Sequence, residues 1–190
     1  AIINHPQSLT MGDKKEIISA RLGEIEEQLD EKDPVINLLK TLTLSLDHKG
    51  ARRYFLVSGL GDFRINSEAK RDLAPHIKKI LKAEGNPMNG RIRVNPPEFN
   101  STYRLGINPG IVGPFADLRR FGDGGLDGIL LYRHSVLQGY IAIAASPTDT
   151  LIVDEQALVI TLMGWQGDIP FQLVDGRLPA IHEEPVGSRR

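Results

Sequence analysis

The chain has 190 residues, 41% of them hydrophobic and 25% charged, with a formal net charge of −1 at pH 7. That length and composition suit one ordinary globular domain. A charge so close to zero excludes a global field that would draw the whole molecule onto nucleic acid or an anionic membrane. There is no cysteine, which excludes disulfides and thiolate chemistry. The sequence shows no signal peptide and no apolar run near the roughly 20 residues of a membrane helix. The expectation is a soluble cytoplasmic protein; the opening at Ala1 rather than Met reads as a trimmed or processed end.

In chain order, Asp13 to Asp30 reads as one helix. Ile18, Leu22, Ile25 and Leu29 recur at helical spacing, Asp13 stands as an N-cap with Glu16 three residues on, and Glu24, Glu26, Glu27, Asp30 and Glu31 make the other face acidic. Pro34 ends it. From Asn37 the period becomes two: Leu38, Lys40, Leu42, Leu44 and Leu46 share one face of a strand, while Thr41, Thr43 and Ser45 share the other. Lys40 therefore falls on the apolar face. "DHKG" reads as a turn and Tyr54 to Ser58 as the returning strand of an antiparallel hairpin.

Ser67 is placed to cap a helix through Leu73, and Pro75 to start or kink a second helical piece that ends at Glu84, before Gly85. This is the most basic part of the chain: from Glu68 to Arg93, seven Lys/Arg stand against three Asp/Glu. Its cations include Lys70, Lys78, Lys79 and Lys82. A short strand "RIRV" and one or two helical turns in "NPPEFNSTYRL" follow. Then comes "GINPGIVGPF", Gly106 to Phe115, with three glycines and two prolines among apolar residues. "GILLYRHS", "GYIAIAAS" and "TLIVD" read as strands. Asp154 caps the helix "EQALVITLM", stopped by Gly164. The expected fold is α+β, with a mixed, mostly antiparallel sheet and flanking helices. The expected organisation is one domain over 1–164 and an extension over 165–190, partly irregular or disordered at "EEPVGSRR".

Two features carry chemistry. Lys40 on an apolar strand face is either a snorkelling side chain at a sheet edge or an ammonium in a cleft, where weak hydration strengthens its hold on a phosphate or ester oxygen. The Gly-Pro loop is either a packed turn or a rigid backbone that aims N–H groups at an anion with no side chain in the way. No nucleophile elbow, P-loop or H-E-x-x-H motif occurs. His134 reads as a turn residue, and His182 with Glu183 and Glu184 as part of a polar tail, so neither a metal nor a cofactor is expected.

A His-Pro pair near the start, "LLKTL" opening a strand, a helix, "GINPGIVGPF", and paired strands ending in "SPTDTLIVDEQALVITLMG" come in one order. In that order the chain resembles the YbaK/prolyl-tRNA-synthetase-associated editing domain family over about Ile3 to Gly164. The segment Gly12 to Asp33 is longer and more charged than the family pattern. The resemblance implies a freestanding hydrolase that cuts the ester of a mischarged aminoacyl-tRNA without metal or cofactor. By the resemblance, Lys40 sits by the terminal adenosine, and Gly106, Pro109 and Gly110 supply the backbone that holds the ester carbonyl. Ile111, Pro114, Phe115, Ser146, Asp149 and Thr150 then line the substrate. Lys70, Lys78, Lys79 and Lys82 are the expected tRNA contacts. The implied partner is tRNA, with room for an aminoacyl-tRNA synthetase. The alternatives are a non-catalytic tRNA- or adenosine-binding module of the same fold and a protein-interaction scaffold using the acidic helix and the tail.

Overall fold

The computed structural model describes residues 1–7, 10–48, 51–61, 63–85, 92–94, 113–114, 126–133, 139–165 and 169–176. Its elements are β1 (Ile2–Asn4), α1 (Met11–Ala20), α2 (Leu22–Leu29), β2 (Ile36–His48), β3 (Ala51–Leu60), α3 (Ser67–Ala83), β4 (Ile92–Val94), β5 (Gly128–Arg133), β6 (Tyr140–Ala144), β7 (Asp149–Asp154), α4 (Glu155–Trp165) and β8 (Phe171–Asp175). The class is α+β with a mixed eight-stranded sheet, ordered β1-β7-β6-β2-β3-β5-β8 with β4 also on β2. Antiparallel pairs outnumber parallel ones only slightly: β2/β6, β3/β5 and β5/β8 run parallel. The segment after Gly164 supplies β8, whose Val174 is fully buried, so it shares the central sheet.

β2 organises this sheet. Ile36–Leu38 pair with β6, Leu39–His48 with β3, and Leu44–Leu46 with β4. Its even positions face two helical covers. Ile36 and Leu38 pack with Ile18 and Ile25 of α1 and α2. Leu44 and Leu46 pack with Leu73, Ile77 and Leu81 of α3. Leu39 points the other way, to Leu158 and Leu162 of α4. The period-two reading of this strand therefore holds, and the hairpin extends further at both ends than the sequence indicates.

The first helix differs from expectation. It divides at Arg21, whose N–H reaches both Ile17 O and Ile18 O, and Thr10 rather than Asp13 is its N-cap. Thr10 Oγ1 accepts from the Asp13 N–H at 3.0 Å while Asp13 Oδ2 accepts from the Thr10 N–H at 2.9 Å, a reciprocal capping box. Dividing the helix lets both apolar stripes, Met11/Ile18 and Leu22/Ile25/Leu29, lie on one curved sheet face. The third helix shows the reverse. It is continuous through Pro75, capped by Asn66 rather than Ser67. Proline removes the bond to the carbonyl four residues back, and both Pro75 and Arg71 lie on the exposed side, where the core face Ala69, Leu73, Ile77, Ile80 and Leu81 is untouched. Asp154 caps α4 as expected, accepting from the Ala157 N–H at 2.7 Å.

A buried carboxylate ties β5 to β3. Asp127, 6% exposed, accepts from the Tyr54 N–H and from Arg53 Nη1, each at 2.6 Å, while its own N–H donates to Tyr54 O. Glu84, just past α3, lies 3.6 Å from the same guanidinium. Burial and the Asp127 charge hold Glu84 above the ordinary carboxylate range, with Arg53 opposing. Asp127→Ala leaves a buried N–H and a guanidinium without their acceptor, and is expected to lower the unfolding free energy by about 3 kcal/mol. Glu84→Gln is expected to leave it unchanged or higher, since it removes a carboxylate whose ionised form the fold disfavours. Denaturant titration of the two variants checks both signs.

Candidate functional site

Beyond Leu38 and Ala142 the parallel pair β2/β6 stops, although both strands continue. β3 occupies one edge of β2 along its whole remaining length, and β4 joins the other edge only from Leu44. Among the described residues, the β6-side edge of β2 from Leu39 to Thr43 thus has no strand partner. Lys40 lies in this gap. Carrying the β2/β6 register two residues on brings it level with Ala144. Ala144 pairs with Thr150 and Thr150 with Ile3, a transverse row on the sheet face to which Lys40, across the gap, also belongs.

Lys40 is half-buried and sits between the two apolar covers, Leu38 belonging to one and Leu42 and Leu44 to the other. Its ammonium pairs with no carboxylate among the described residues. Across the hairpin its partner is Gly59, and the Phe63 ring fills the space a side chain at Gly59 would take, 2.6 Å from a notional Cβ. The row thus holds a lysine stem beside an aromatic ring. Neither Gly59 nor Phe63 carried a signal in the sequence, because the contact depends on the β2/β3 register and on the turn after β3.

The other end of the row is polar and tightly tied. His5 is 7% and Thr150 2% exposed. His5 Nδ1 lies 2.7 Å from Pro6 O, an oxygen that only accepts, so Nδ1 carries the hydrogen. In the neutral ring Nε2 then accepts from the Thr150 hydroxyl at 2.9 Å. The His5 N–H donates to Thr148 O at 2.8 Å. In the adjoining β6/β7 turn the Ser146 hydroxyl donates to Asp149 Oδ2 and accepts from the Thr148 N–H, while the N–H groups of Ala145 and Ser146 both donate to Asp149 O. Asp149 is half-buried and carries the carboxylate nearest in sequence to the row. The His-Pro pair, Ser146, Asp149 and Thr150 are therefore brought together, and Thr150 is committed to His5.

Of the Gly-Pro loop, Gly113 and Pro114 are described and both are buried. A side chain at Gly113 would collide with the Ala144 carbonyl, which puts this end of the loop against β6 at the gap. Gly106, Pro109, Gly110, Ile111 and Phe115 lie outside the described residues. On α3, Lys78, Lys79 and Lys82 are exposed and Lys70 is half-buried; α3 covers the same face of β2, beyond Lys40. Among the described residues no three of His, Asp and Glu are grouped as a metal site, and no helix is long and apolar enough to cross a membrane.

No family model and no curated protein matches the chain. The site stands on its own geometry: a lysine in a sheet gap, an aromatic neighbour, a close-packed glycine, and a polar turn bearing one carboxylate. Such a place offers a cation, an apolar wall and a strand edge without a strand partner among the described residues to one ligand.

The row tolerates no added volume at Gly59. Gly59→Ala forces Phe63 off its position, and is expected to destabilise the fold by about 1–3 kcal/mol and to weaken whatever function depends on Lys40. Phe63→Leu in the same background, which relieves the contact, is expected to recover part of the stability. Thermal unfolding of the single and double variants reads this directly.

Proposed function

We propose that the chain is a freestanding trans-editing deacylase that hydrolyses the ester of a mischarged aminoacyl-tRNA. One observation carries the reading: Lys40 follows the end of the β2/β6 pairing, Gly113 lies against Ala144 at the end of β6, and the Ser146–Asp149 turn comes directly after it. The resemblance to the YbaK/prolyl-tRNA-synthetase-associated family, read from the order of these same segments, supports it.

In this reading the terminal adenosine enters the gap, with Lys40 holding a phosphate or ester oxygen. Backbone N–H groups near Gly106 to Gly110 hold the ester carbonyl and stabilise the oxyanion that forms on it. Water, helped by a hydroxyl of the terminal ribose, attacks the carbonyl carbon. The carbon–oxygen bond to the tRNA breaks, releasing the amino acid and free tRNA. Asp149, anchored by Ser146, suits the substrate's cationic α-amino group.

A deacylation assay over a panel of mischarged tRNAs tests this. Lys40→Ala is expected to cut the rate on the responsive substrate at least about tenfold, or about 1.4 kcal/mol in the barrier. It should leave the melting temperature nearly unchanged, because it removes no filled core volume. Turnover of the whole panel at the uncatalysed rate overturns the enzyme reading, and tRNA binding without turnover identifies a binding module instead.

The exposed lysines of α3 suit the acceptor stem. Their contacts would be to phosphates, independent of sequence and weakened by salt. Replacing Lys78 and Lys79 together by Glu is expected to weaken tRNA binding and flatten its salt dependence. Hydrolysis of a small aminoacyl ester should be unaffected. Equal loss on both substrates points to misfolding.

A further inference from the structure

Lys14 is the one buried lysine among the described residues, at 6% exposure. It lies in α1 between Met11 and Ile18, and both of these pack into the cluster formed by Ile3, Leu38, Ala142 and Ile152. Ile18, four residues on, shares its helix face. Lys14 therefore faces the sheet, on the side to which Lys40 belongs, since Lys40 follows Leu38 by two residues on the same face of β2. The start of α1 follows closely on His5–Pro6, whose ring is bonded to Thr150 at the other end of the Lys40 row.

An ammonium on a core-facing helix position has lost most of its hydration, and no carboxylate pairs with it among the described residues. Burial accordingly pushes its pKa down. A helix needs no lysine at such a position for packing: Met or Leu would fill the same stem volume without a charge. Two cations, the buried Lys14 and the half-buried Lys40, border one sheet face, and neither pairs with a carboxylate among the described residues. Such a pair suits an anionic ligand.

We propose that Lys14 is a second cationic group of the Lys40 site and binds the phosphate of the terminal nucleotide, leaving Lys40 for the ester. This rests on the proposed function for the choice of a nucleotide and on the structure for the anion.

The test uses the full chain with AMP, adenosine and inorganic phosphate as probes, by titration calorimetry. AMP is expected to bind at least tenfold more tightly than adenosine. Lys14→Met is expected to remove that advantage while leaving adenosine affinity as it was, and to melt no lower than the parent protein, because it keeps the stem and drops the buried charge. If the variant does not fold, amine labelling of the parent protein read by mass spectrometry replaces it: AMP should slow modification of Lys14 at least fivefold. Equal binding of AMP and adenosine by the parent protein, unaltered AMP affinity in Lys14→Met, or absence of protection overturns the proposal. AMP binding through Lys14 with no deacylation of any tRNA sustains this inference and defeats the deacylase reading. Deacylation with AMP affinity indifferent to Lys14→Met does the opposite.

Discussion

The change of neighbour along β2 is the constraint from which the rest follows. A strand of thirteen residues spans roughly 43 Å at about 3.3 Å per residue, too far for one short partner to cover on each edge. β3 is long enough to follow it; β6 and β4 are not, and each takes only three residues of the opposite edge. Backbone groups between those two contacts must find partners elsewhere, since unpaired polar groups are costly away from water. The gap opens where the β2/β6 pairing ends, at Leu38 and Ala142, and closes where β4 joins at Leu44. Gly113 brings backbone without bulk against the Ala144 carbonyl, beside this gap.

The same change of neighbour divides the core. α1 and α2 cover the stretch where β2 runs beside β6, α3 covers the stretch beyond, and the apolar face passes from one cover to the other at Lys40. A lysine is tolerated there because neither cover closes over it fully, and its stem still lies on apolar neighbours. The opposite row position is held open by Gly59 and then filled by Phe63 from outside the strand. Charge and aromatic wall are adjacent because a single register, Lys40 opposite Gly59, places them so. On the reverse face the consequences are different: Thr41 and Ser58 are cross-strand partners whose hydroxyls bond at 2.8 Å, satisfying each other where burial is complete.

Much of this was legible along the chain where the cause is local. The period of two placed Lys40 on the apolar face without reference to any other strand, and Asp154 declared its helix by type and position. What was not legible depends on partners distant in sequence. Asp13 looked like a cap because it precedes an apolar stripe, yet Thr10 wins the role by having Asp13 three residues ahead to reciprocate. Pro75 looked like a boundary or a kink, but α3 runs on through it, with its core residues on the other side and only one solvent-side bond lost. The parallel pairings β3/β5 and β5/β8 bring together residues more than forty apart, and β8 in particular needs β5 as its template before its short apolar run has meaning. For the site, the His-Pro pair, Ser146, Asp149 and Thr150 were visible as types, whereas the bond between His5 and Thr150, and the roles of Gly59 and Phe63, exist only once the registers are set.

Near-neutrality also reads differently once the helices are placed. The net charge of −1 sums two helices of opposite character. α2 carries Glu24, Glu26 and Glu27, with Glu31 just beyond it accepting from the Tyr140 hydroxyl at the start of β6; α3 carries Lys78, Lys79 and Lys82 in the open. Both cover the same sheet face, on either side of the Lys40 row. Their fields cancel at a distance, so the molecule attracts no anion strongly as a whole. Within about a Debye length, roughly 8 Å at physiological ionic strength, they do not cancel: a polyanion on this face is drawn to α3 and repelled from α2. Orientation, rather than bulk affinity, is what such an arrangement supplies. For a polyanion, α3 is thus the attractive side of the gap and α2 the repulsive one. Under the proposed function, that asymmetry makes the charge balance compatible with a nucleic acid substrate that has to arrive end first and leave again after one bond is cut.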